Sequence, residues 1–343
     1  MNLKQKIRYK INPFNIVIFG GDGDLSKRKI VPALFHRYAA KQLNVDFNIY
    51  CISRSSNDEE QFKTVLREFI VKTNHKGSKE KATDEFLKHV KLLQIKKNSD
   101  AFYADLKNSL DENAERQRVF YFSVPSSAFS EICGTLRSSG LVNDSSKVVL
   151  EKPLGHDLKS SQSINAIISS TFKEKQIFRI DHYLGKETVQ NIMVLRFANH
   201  LFERAWNAEN IENIQITVSE SLGVEKRAGY YDNTGALLDM IQNHLLQLLC
   251  LIAMEPPASL NPDSVRNEKV KVLQSLRLFK PSTIKGNVVR GQYTRGANGN
   301  EKLNSYLEDI EKYNSETESF VAIKAYIDNW RWKNVPIYLR TGK

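Results

Sequence analysis

The segment Ile16-Val17-Ile18-Phe19-Gly20-Gly21-Asp22-Gly23-Asp24-Leu25 decides the fold of the first half of the chain. Its first four residues form an apolar run that is typical of a buried parallel strand. The glycines allow the tight turn and the close backbone approach that a pyrophosphate needs at a helix N-terminus. A helix is predicted from about Leu25 to Leu43, so the context favours a phosphate-binding turn, although any tight turn could use such glycines.

Strands and helices continue to alternate as far as residue 184. Further strands are predicted at Phe47 to Ser53, Val119 to Val124 and Val148 to Leu150, with helices between them. This β-α-β pattern predicts a doubly wound parallel sheet, the α/β architecture of dinucleotide-binding domains. Residues 1–184 are therefore predicted to form a Rossmann-like domain.

A different pattern marks residues 185–343. Ile214 to Val218 and Val321 to Ile327 place apolar residues at every second position, which predicts a mostly antiparallel sheet with one face covered. The Leu-rich helix Ala236 to Met254 would cover that face. The Gly- and Asn-rich segment 286–300 is predicted to be a loop. The second half is thus an α+β domain.

Composition limits the function classes. The chain has 343 residues, 41% of them hydrophobic, and a net charge of +11. Its lysines are interspersed with acids and form no compact basic stripe, so neither a nucleic-acid partner nor a membrane is predicted. The N-terminus, Met1 to Lys10, lacks an apolar signal core. Cys51, Cys133 and Cys250 have no metal-ligand spacing, which indicates reduced thiols in a cytoplasmic protein without a metal site.

The end of the second strand bears on the choice of cofactor. A carboxylate there would bind ribose hydroxyls and favour NAD, whereas Ser53-Arg54-Ser55 suits a 2′-phosphate and predicts NADP. The alternative is a surface Arg at a strand end. Lys29 lies in the first helical turns, where a cation opposes the helix dipole unless an anion is bound nearby. Pro125 follows the third strand and could flank the cofactor, although an N-cap at Ser126 explains the segment equally well.

The octapeptide Arg179-Ile180-Asp181-His182-Tyr183-Leu184-Gly185-Lys186 concentrates chemistry in a short space. Lys and His together can hold a phosphate by charge-assisted hydrogen bonds, and Asp can orient a His that removes a proton. Lys152 follows the strand that ends at Leu150 and could bridge cofactor and substrate, because such strand ends point into the ligand crevice.

A third candidate segment is the helix that contains His244. At helical spacing Asp239, Asn243 and Gln247 form a polar row, and His244 lies between that row and the apolar face. A half-buried His near a carboxylate can act as a general base. On these residues alone, a hydrogen-bonded core His is the better interpretation.

Four segments together resemble the glucose-6-phosphate dehydrogenase family, in its order and approximate spacing and over essentially the whole chain. They are residues 20–29, Glu-Lys-Pro-x-Gly at 151–155, the octapeptide at 179–186, and Asp-Met-Ile-Gln-Asn-His-Leu-Leu-Gln at 239–247. The resemblance implies oxidation of glucose 6-phosphate to 6-phosphogluconolactone with reduction of NADP, the first step of the pentose phosphate pathway. It also implies homo-oligomers.

The same resemblance implies a role for each site residue. His244 would take the proton from the C1 hydroxyl and Asp181 would orient it. His182, Tyr183 and Lys186 would hold the sugar phosphate. Lys152, Glu220, Asp239 and Lys343 would bind the sugar. The cofactor would be bound by Gly20, Gly21, Asp22, Gly23, Asp24, Leu25, Lys29, Arg54, Pro125 and Lys152.

Two departures from the family pattern qualify these expectations. The family has Thr or Ser in the phosphate turn where this chain has Asp22, and a carboxylate repels a phosphate. Weaker cofactor binding is therefore expected unless Asp22 points away or pairs with Lys27 or Arg28. The family also continues beyond the segment that ends at Lys343, so the chain is expected to be C-terminally truncated and poorly active or unstable alone. The alternatives are a catalytically impaired NADP-binding remnant and a sugar oxidoreductase of the Gfo/Idh/MocA kind.

Overall fold

The structure is a computed structural model that describes residues 11–55, 58–73, 80–96, 100–224, 228–299 and 301–343. The segment Met1 to Lys10, for which no signal core is predicted, lies outside these residues. The chain divides into two units, Met1–Ile180 and Asp181–Lys343. Residues 181–184, which the sequence analysis assigned to the first domain, therefore belong to the second unit.

The first unit contains a parallel sheet. Among its described residues the strand order is β3-β2-β1-β4-β5-β6, and every pair is parallel. This is the order of a doubly wound dinucleotide-binding fold. Its strands are β1 Phe14–Phe19, β2 Phe47–Ser53, β3 Val90–Gln94, β4 Gln117–Phe122, β5 Lys147–Leu150 and β6 Ile177–Arg179.

Helices connect these strands, as the sequence pattern predicts. They are α1 Val31–Ala39, α2 Glu59–Thr73, α3 Glu80–Leu87, α4 Asp100–Asp111, α5 Phe129–Ser138 and α6 Leu158–Ser169. The helix predicted from Leu25 begins with a π-helical turn, Ser26–Ile30, and continues as α1. Apolar side chains of β1 and β2 are buried in two clusters, one on each face of the sheet.

The strand order reverses between β1 and β4, and this point positions the ligand crevice. Chains leave neighbouring strands in opposite directions here, so a gap opens at the carboxyl ends. The turn that starts at Gly20 follows β1, and Ser123 to Pro125 follow β4. The predicted phosphate turn and Pro125 therefore lie at the topological switch point.

The second unit contains a mixed sheet with the order β7-β12-β11-β8. β11 pairs antiparallel with β12 and with β8, whereas β12 and β7 are parallel. A small hairpin, β9 with β10, lies partly inside the segment 286–300, so the prediction of a plain loop there is wrong. The strands are β7 Ile214–Ser219, β8 Val288–Gly291, β9 Gly296–Asn298, β10 Glu301–Leu303, β11 Phe320–Ala325 and β12 Ile337–Gly342.

Helices cover one face of this sheet. Leu245, Leu248 and Leu249 of the Leu-rich helix pack into one core with Ile216 and Ile323 of the strands, as predicted. The helices are α7 Glu187–Phe197, α8 His200–Ala205, α9 Ala228–Tyr231, α10 Leu246–Ala253, α11 Pro262–Gln274, α12 Pro281–Asn287 and α13 Tyr306–Asp309, and a π-helical segment, Leu237–Leu245, leads directly into α10.

A buried arginine fixes the end of α10. Arg196 has no exposed surface, and its guanidinium donates to the carbonyl oxygens of Leu251 and Met254, each at 2.8 Å. These carbonyls belong to the last turn, where a helix lacks internal donors. Glu203 accepts a further bond from the same guanidinium at 3.3 Å. Arg196 therefore anchors the helix whose preceding segment carries His244.

The described helices include none with the length and apolar character that crossing a membrane would require.

Candidate active site

Asp181 and His244 form a hydrogen-bonded pair. His244 Nδ1 lies 2.6 Å from Asp181 Oδ1, and the His244 side chain has no exposed surface. An ionised carboxylate can only accept, so Nδ1 carries the proton and Nε2 of the neutral ring is the acceptor. The backbone N–H of Tyr183 donates to the same Asp181 oxygen at 3.0 Å, which fixes the carboxylate at the start of the 3₁₀ turn His182–Gly185.

Two aromatic neighbours hold the plane of the His244 ring. The Tyr183 ring stacks on it with centroids 4.0 Å apart, and His182 meets it edge-on at 4.6 Å. Burial raises the pKa of Tyr183, and the negative charges of Glu220, Asp181 and Asp239 raise it further. The phenol therefore stays neutral and can donate a hydrogen bond to an anion.

The π-helical segment places Asp239 and His244 on one side of the helix. A π-helix has more residues per turn than an α-helix, so the fourth and the fifth residue along both lie near the same face. Both are buried, Asp239 at 4% exposure and His244 at 0%. Asn243, predicted in one row with Asp239, is less buried and donates to the carbonyl of Leu238 at 2.9 Å. The prediction that His244 is half-buried at an α-helical border is wrong, because its side chain has no exposed surface and the segment is π-helical.

Parallel pairing of β7 with β12 brings Glu220 and Lys343 together. Ser219 pairs with Gly342 in the register of these strands, and the next residue of each strand follows in line. Lys343 Nζ donates to Glu220 Oε2 at 2.5 Å. Lys343 Nζ also lies 5.2 Å from the centroid of the Tyr231 ring. An antiparallel pair would not have put these two side chains at the same end.

The predicted phosphate-binding residues lie next to the Asp181–His244 pair. Lys186 Nζ lies 3.5 Å from the centroid of the Tyr183 ring, and both Lys186 and His182 are exposed. Eight of the predicted catalytic and substrate residues belong to the second unit. The charges of Glu220, Asp181 and Asp239 all act on the Tyr183 phenol, which places these carboxylates near the pair. Asp181, His182 and His244 also offer ligand-type atoms within 4.8 Å of one another, although no metal site is predicted. The hydrogen bond between Asp181 and His244 already accounts for much of that proximity.

The turn after β1 needs its glycines. Gly20 has a φ of +74°, and a Cβ there would lie 2.4 Å from the Ser123 carbonyl oxygen. A Cβ on Gly21 would lie 2.5 Å from Cys51 Cα, and the Gly21 N–H donates to the Ile52 oxygen at 2.8 Å. The turn therefore lies directly against β2 and β4, and it leaves its outer side open to a phosphate.

A cavity of about 860 Å³ adjoins this turn within the first unit. Its lining includes Gly20, Asp22, Arg54 and Pro125, four of the predicted cofactor residues. Around Pro125 the described helix starts show no side-chain cap bond, so an N-cap at Ser126 does not explain the segment. The cavity has the size of a small-molecule site.

The remaining cofactor candidates are placed as follows. Asp24 pairs with Arg28 at 2.6 Å on the surface, and Leu25 and Lys29 are exposed at the helix start. Gly23 N–H donates to the Gly20 oxygen at 3.0 Å inside the turn. Lys152 follows the carboxyl end of β5 and precedes a cis peptide bond to Pro153.

Asp22 does not pair with Arg28 as considered from sequence. Its Oδ2 accepts hydrogen bonds from Ser53 Oγ and Ser55 Oγ, each at 2.6 Å. Arg54, between these serines, reaches Glu131 at 3.4 Å. Asp22 therefore closes the gap between the phosphate turn and the end of β2.

Two family models cover nearly the whole chain. "Glucose-6-phosphate dehydrogenase, NAD binding domain" matches residues 17–191, and "Glucose-6-phosphate dehydrogenase, C-terminal domain" matches residues 193–343. The chain belongs to the glucose-6-phosphate dehydrogenase family.

Relatives and a solved structure in the glucose-6-phosphate dehydrogenase family agree with this assignment. The glucose-6-phosphate 1-dehydrogenase of Rhizobium meliloti (strain 1021) is 46% identical over 334 residues, which cover 97% of this chain and 68% of the relative. That of Mycolicibacterium smegmatis (strain ATCC 700084 / mc(2)155) is 45% identical, with coverage of 97% and 68%. A structure of glucose-6-phosphate dehydrogenase in complex with its substrate glucose-6-phosphate superimposes with a TM-score of 0.89 at 39% identity, over 96% of this chain and 68% of that one.

Sequence reasoning missed several residues of this glucose-6-phosphate dehydrogenase family site. The sequence favours Ser53 and Ser55 as phosphate ligands, whereas in the structure their hydroxyls donate to Asp22. Lys269 of α11 donates to Gln247 Oε1 at 3.0 Å, one turn after His244. Burial lowers the pKa of Lys269, and the negative charge of Asp181 counteracts part of that effect. Nothing in the sequence of α11 signals this position, because the contact is made between helices.

Proposed function

We propose that the chain oxidises D-glucose 6-phosphate at C1 to 6-phospho-D-glucono-1,5-lactone and transfers the hydride to NADP, the first step of the pentose phosphate pathway. The observation that carries the proposal is the hydrogen bond of 2.6 Å between Asp181 and His244 in a chain of this family. The bond leaves His244 Nε2 as the acceptor. A sugar hydroxyl is the proton donor that such an acceptor suits.

His244 is the general base. As hydride leaves C1, the C1 oxygen must lose its proton, and His244 Nε2 receives it. The ring then becomes a cation, and the Asp181 carboxylate stabilises that charge through Nδ1–H. Tyr183 and His182 pack against the ring and hold it in this orientation. NADP, when bound, supplies the hydride acceptor.

The substrate's phosphate is held by His182, Tyr183 and Lys186. A Lys ammonium and an imidazolium pair with a phosphate by charge-assisted hydrogen bonds, and a neutral phenol donates one more. Glu220, Asp239, Lys343 and Lys152 bind the sugar hydroxyls. Glu220 and Lys343 are already paired, so they offer an acceptor and a donor side by side.

The first unit binds the cofactor. The glycine turn binds the pyrophosphate, and Arg54, which lines the adjoining cavity, contacts the adenosine end of the cofactor. A Cβ at Gly20 or Gly21 would collide with neighbouring backbone, so the turn is built for close approach. Asp24, Leu25, Lys29 and Pro125 flank this site.

The decisive experiment compares the full chain with His244→Asn by following formation of reduced cofactor. We expect the variant to lose about 10²- to 10⁴-fold in kcat while its affinity for NADPH is unchanged. His200→Asn, an exposed His of the same unit, is the matched control and keeps full activity. Retention of more than about a tenth of kcat in His244→Asn would refute the role, because a general base contributes more than that.

Two rival functions are separated by the same assay. A sugar oxidoreductase of the Gfo/Idh/MocA kind would turn over free glucose as well as glucose 6-phosphate. An NADP-binding remnant would bind the cofactor and reduce it with neither sugar. We expect the protein to be a homo-oligomer located in the cytoplasm. Size-exclusion chromatography with light scattering measures the oligomeric state.

A further inference from the structure

The carboxylate of Asp22 is held in a fixed position at the adenosine end of the cofactor crevice. Ser53 Oγ and Ser55 Oγ both donate to its Oδ2 at 2.6 Å. Burial alone would raise the pKa of Asp22, but these two hydrogen bonds and the charge of Lys27 outweigh burial and lower it below 3.8. The side chain is therefore an anion at neutral pH.

The hydroxyls of Ser53 and Ser55 cannot donate hydrogen bonds to a phosphate while they donate to Asp22. Each hydroxyl has a single proton to donate. Ser53 and Ser55 donate their hydroxyl protons to the Asp22 carboxylate, so they can offer a phosphate only lone pairs. The hydroxyls that favoured a 2′-phosphate in the sequence are thus neutralised as phosphate ligands by the residue that faces them.

The charged side chains that line the cavity include one more anion than cations. Arg54 and Lys96 line it as cations, and Asp22, Glu131 and Asp100 line it as anions. Arg54 is already within 3.4 Å of Glu131. A dianionic 2′-phosphate would have to compete with Glu131 for Arg54, whereas a 2′-hydroxyl would meet a carboxylate that can accept its hydrogen bond. In dinucleotide folds a carboxylate after β2 binds the ribose hydroxyls of NAD, and Asp22 places one at that strand end from the neighbouring turn.

We propose that Asp22 sets the cofactor preference of this chain: it accepts the ribose hydroxyls of NAD and opposes the 2′-phosphate, so that NAD is bound as well as NADP. The inference rests on the proposed function only in taking a nicotinamide dinucleotide as the ligand of the first unit. It concerns selectivity, and it is tested by binding without any sugar.

The experiment titrates the full chain with NADPH and with NADH and measures both dissociation constants by nucleotide fluorescence. In the unaltered chain we expect the two constants to lie within about ten-fold of each other, because one charged hydrogen bond gained and one repulsion removed compensate for the lost phosphate contacts. In Asp22→Thr and in Asp22→Asn we expect the dissociation constant for NADPH to fall by about ten-fold and the dissociation constant for NADH to rise.

Asp144→Asn is the matched control. It removes one negative charge from the same unit, at a surface pair with Lys173 before β5, and so at the amino ends of the parallel strands, whereas the crevice lies at their carboxyl ends. We expect it to leave the ratio of the two constants unchanged. A general effect of net charge would move both variants alike and would overturn the proposal.

Other outcomes also decide. An unaltered chain that binds NADPH more than about a hundred-fold more tightly than NADH overturns the proposal, and this measurement needs no variant to fold. A purely structural role for Asp22 would weaken both nucleotides equally in Asp22→Asn, with the ratio fixed. If neither nucleotide is reduced by glucose 6-phosphate but the ratios change as expected, the proposed function fails and the role of Asp22 stands.

Discussion

Asp181 and His244 are 63 positions apart in the sequence, and their side chains meet at 2.6 Å. Asp181 begins the second unit directly after the last strand of the first, and His244 lies near the end of the π-helical segment. The carboxylate also accepts the N–H of Tyr183, whose ring stacks on the imidazole. One short turn thus supplies both the partner of the base and its packing surface.

The first prediction concerns Asp181→Asn. Asn keeps the size of the side chain but can neither stabilise the imidazolium nor enforce protonation at Nδ1. We expect kcat to fall by about 10²- to 10⁴-fold, with a small change in KM for glucose 6-phosphate. Steady-state kinetics measure both. A loss confined to KM would show that Asp181 binds substrate and does not assist the base.

The second prediction concerns Lys186→Gln. Lys186 is exposed and lies against the Tyr183 ring, where it can reach a phosphate. Loss of one charge-assisted hydrogen bond raises KM for glucose 6-phosphate by about ten- to a hundred-fold. Free glucose is the control substrate, since it has no phosphate, and its kcat/KM changes little. An equal loss of kcat/KM with both sugars would mean that Lys186 does not bind the phosphate.

Much of the fold could be predicted because its signals are local. The apolar run before Gly20 and the alternation up to Leu150 follow from the residues themselves, and so does the Leu-rich face that covers the second sheet. The direction of pairing is not local. Alternation in β7 and β12 indicates one buried face, but nothing in either strand specifies that they run parallel. The pairing of Glu220 with Lys343 depends on that direction.

The arrangement of the site residues was harder to predict than their identity. Plotting residues 239–247 at α-helical spacing placed His244 at the border of the polar row, whereas the wider turn of the π-helical segment brings His244 as well as Asn243 near the face of Asp239. Asp22 was expected to weaken cofactor binding unless it points away or pairs with Lys27 or Arg28. Its hydrogen-bond partners are Ser53, at the end of β2, and Ser55, which are 31 and 33 positions away, and such contacts follow from tertiary structure alone.

The third prediction concerns Arg196→Met, which tests the anchor of α10. Met fills similar volume but leaves the carbonyls of Leu251 and Met254 without donors in a buried site. We expect the free energy of unfolding to fall by about 3 kcal/mol or more, measured by chemical denaturation followed by circular dichroism. Arg204→Met, at an exposed position of the adjacent helix, is the control and changes stability by less than about 0.5 kcal/mol.

The fourth prediction concerns the acid stability of the second unit. Burial would raise the pKa of Asp232, but hydrogen bonds from Lys312, Ser315 and Tyr306 outweigh it and lower the pKa to about 2 from 3.8. Because the folded-state pKa is the lower one, the stabilisation is fully present above pH 3.8 and is lost as the pH falls through about 2. Asp232→Asn should therefore destabilise the protein by about 2 kcal/mol near neutral pH, and its difference from the unaltered chain should shrink on acidification.

Denaturant unfolding at a series of pH values, followed by circular dichroism, measures that difference. Asp263→Asn is a suitable comparison, because its pair with Arg266 is 83% exposed on the Asp side and contributes little. A penalty for Asp232→Asn that stays constant from neutral pH down to about pH 2 would contradict the prediction, since about half of the carboxylate that Lys312 and Ser315 bind is then protonated in the folded state and most of its stabilisation is lost. The penalty would then have to come from packing, which acid does not change.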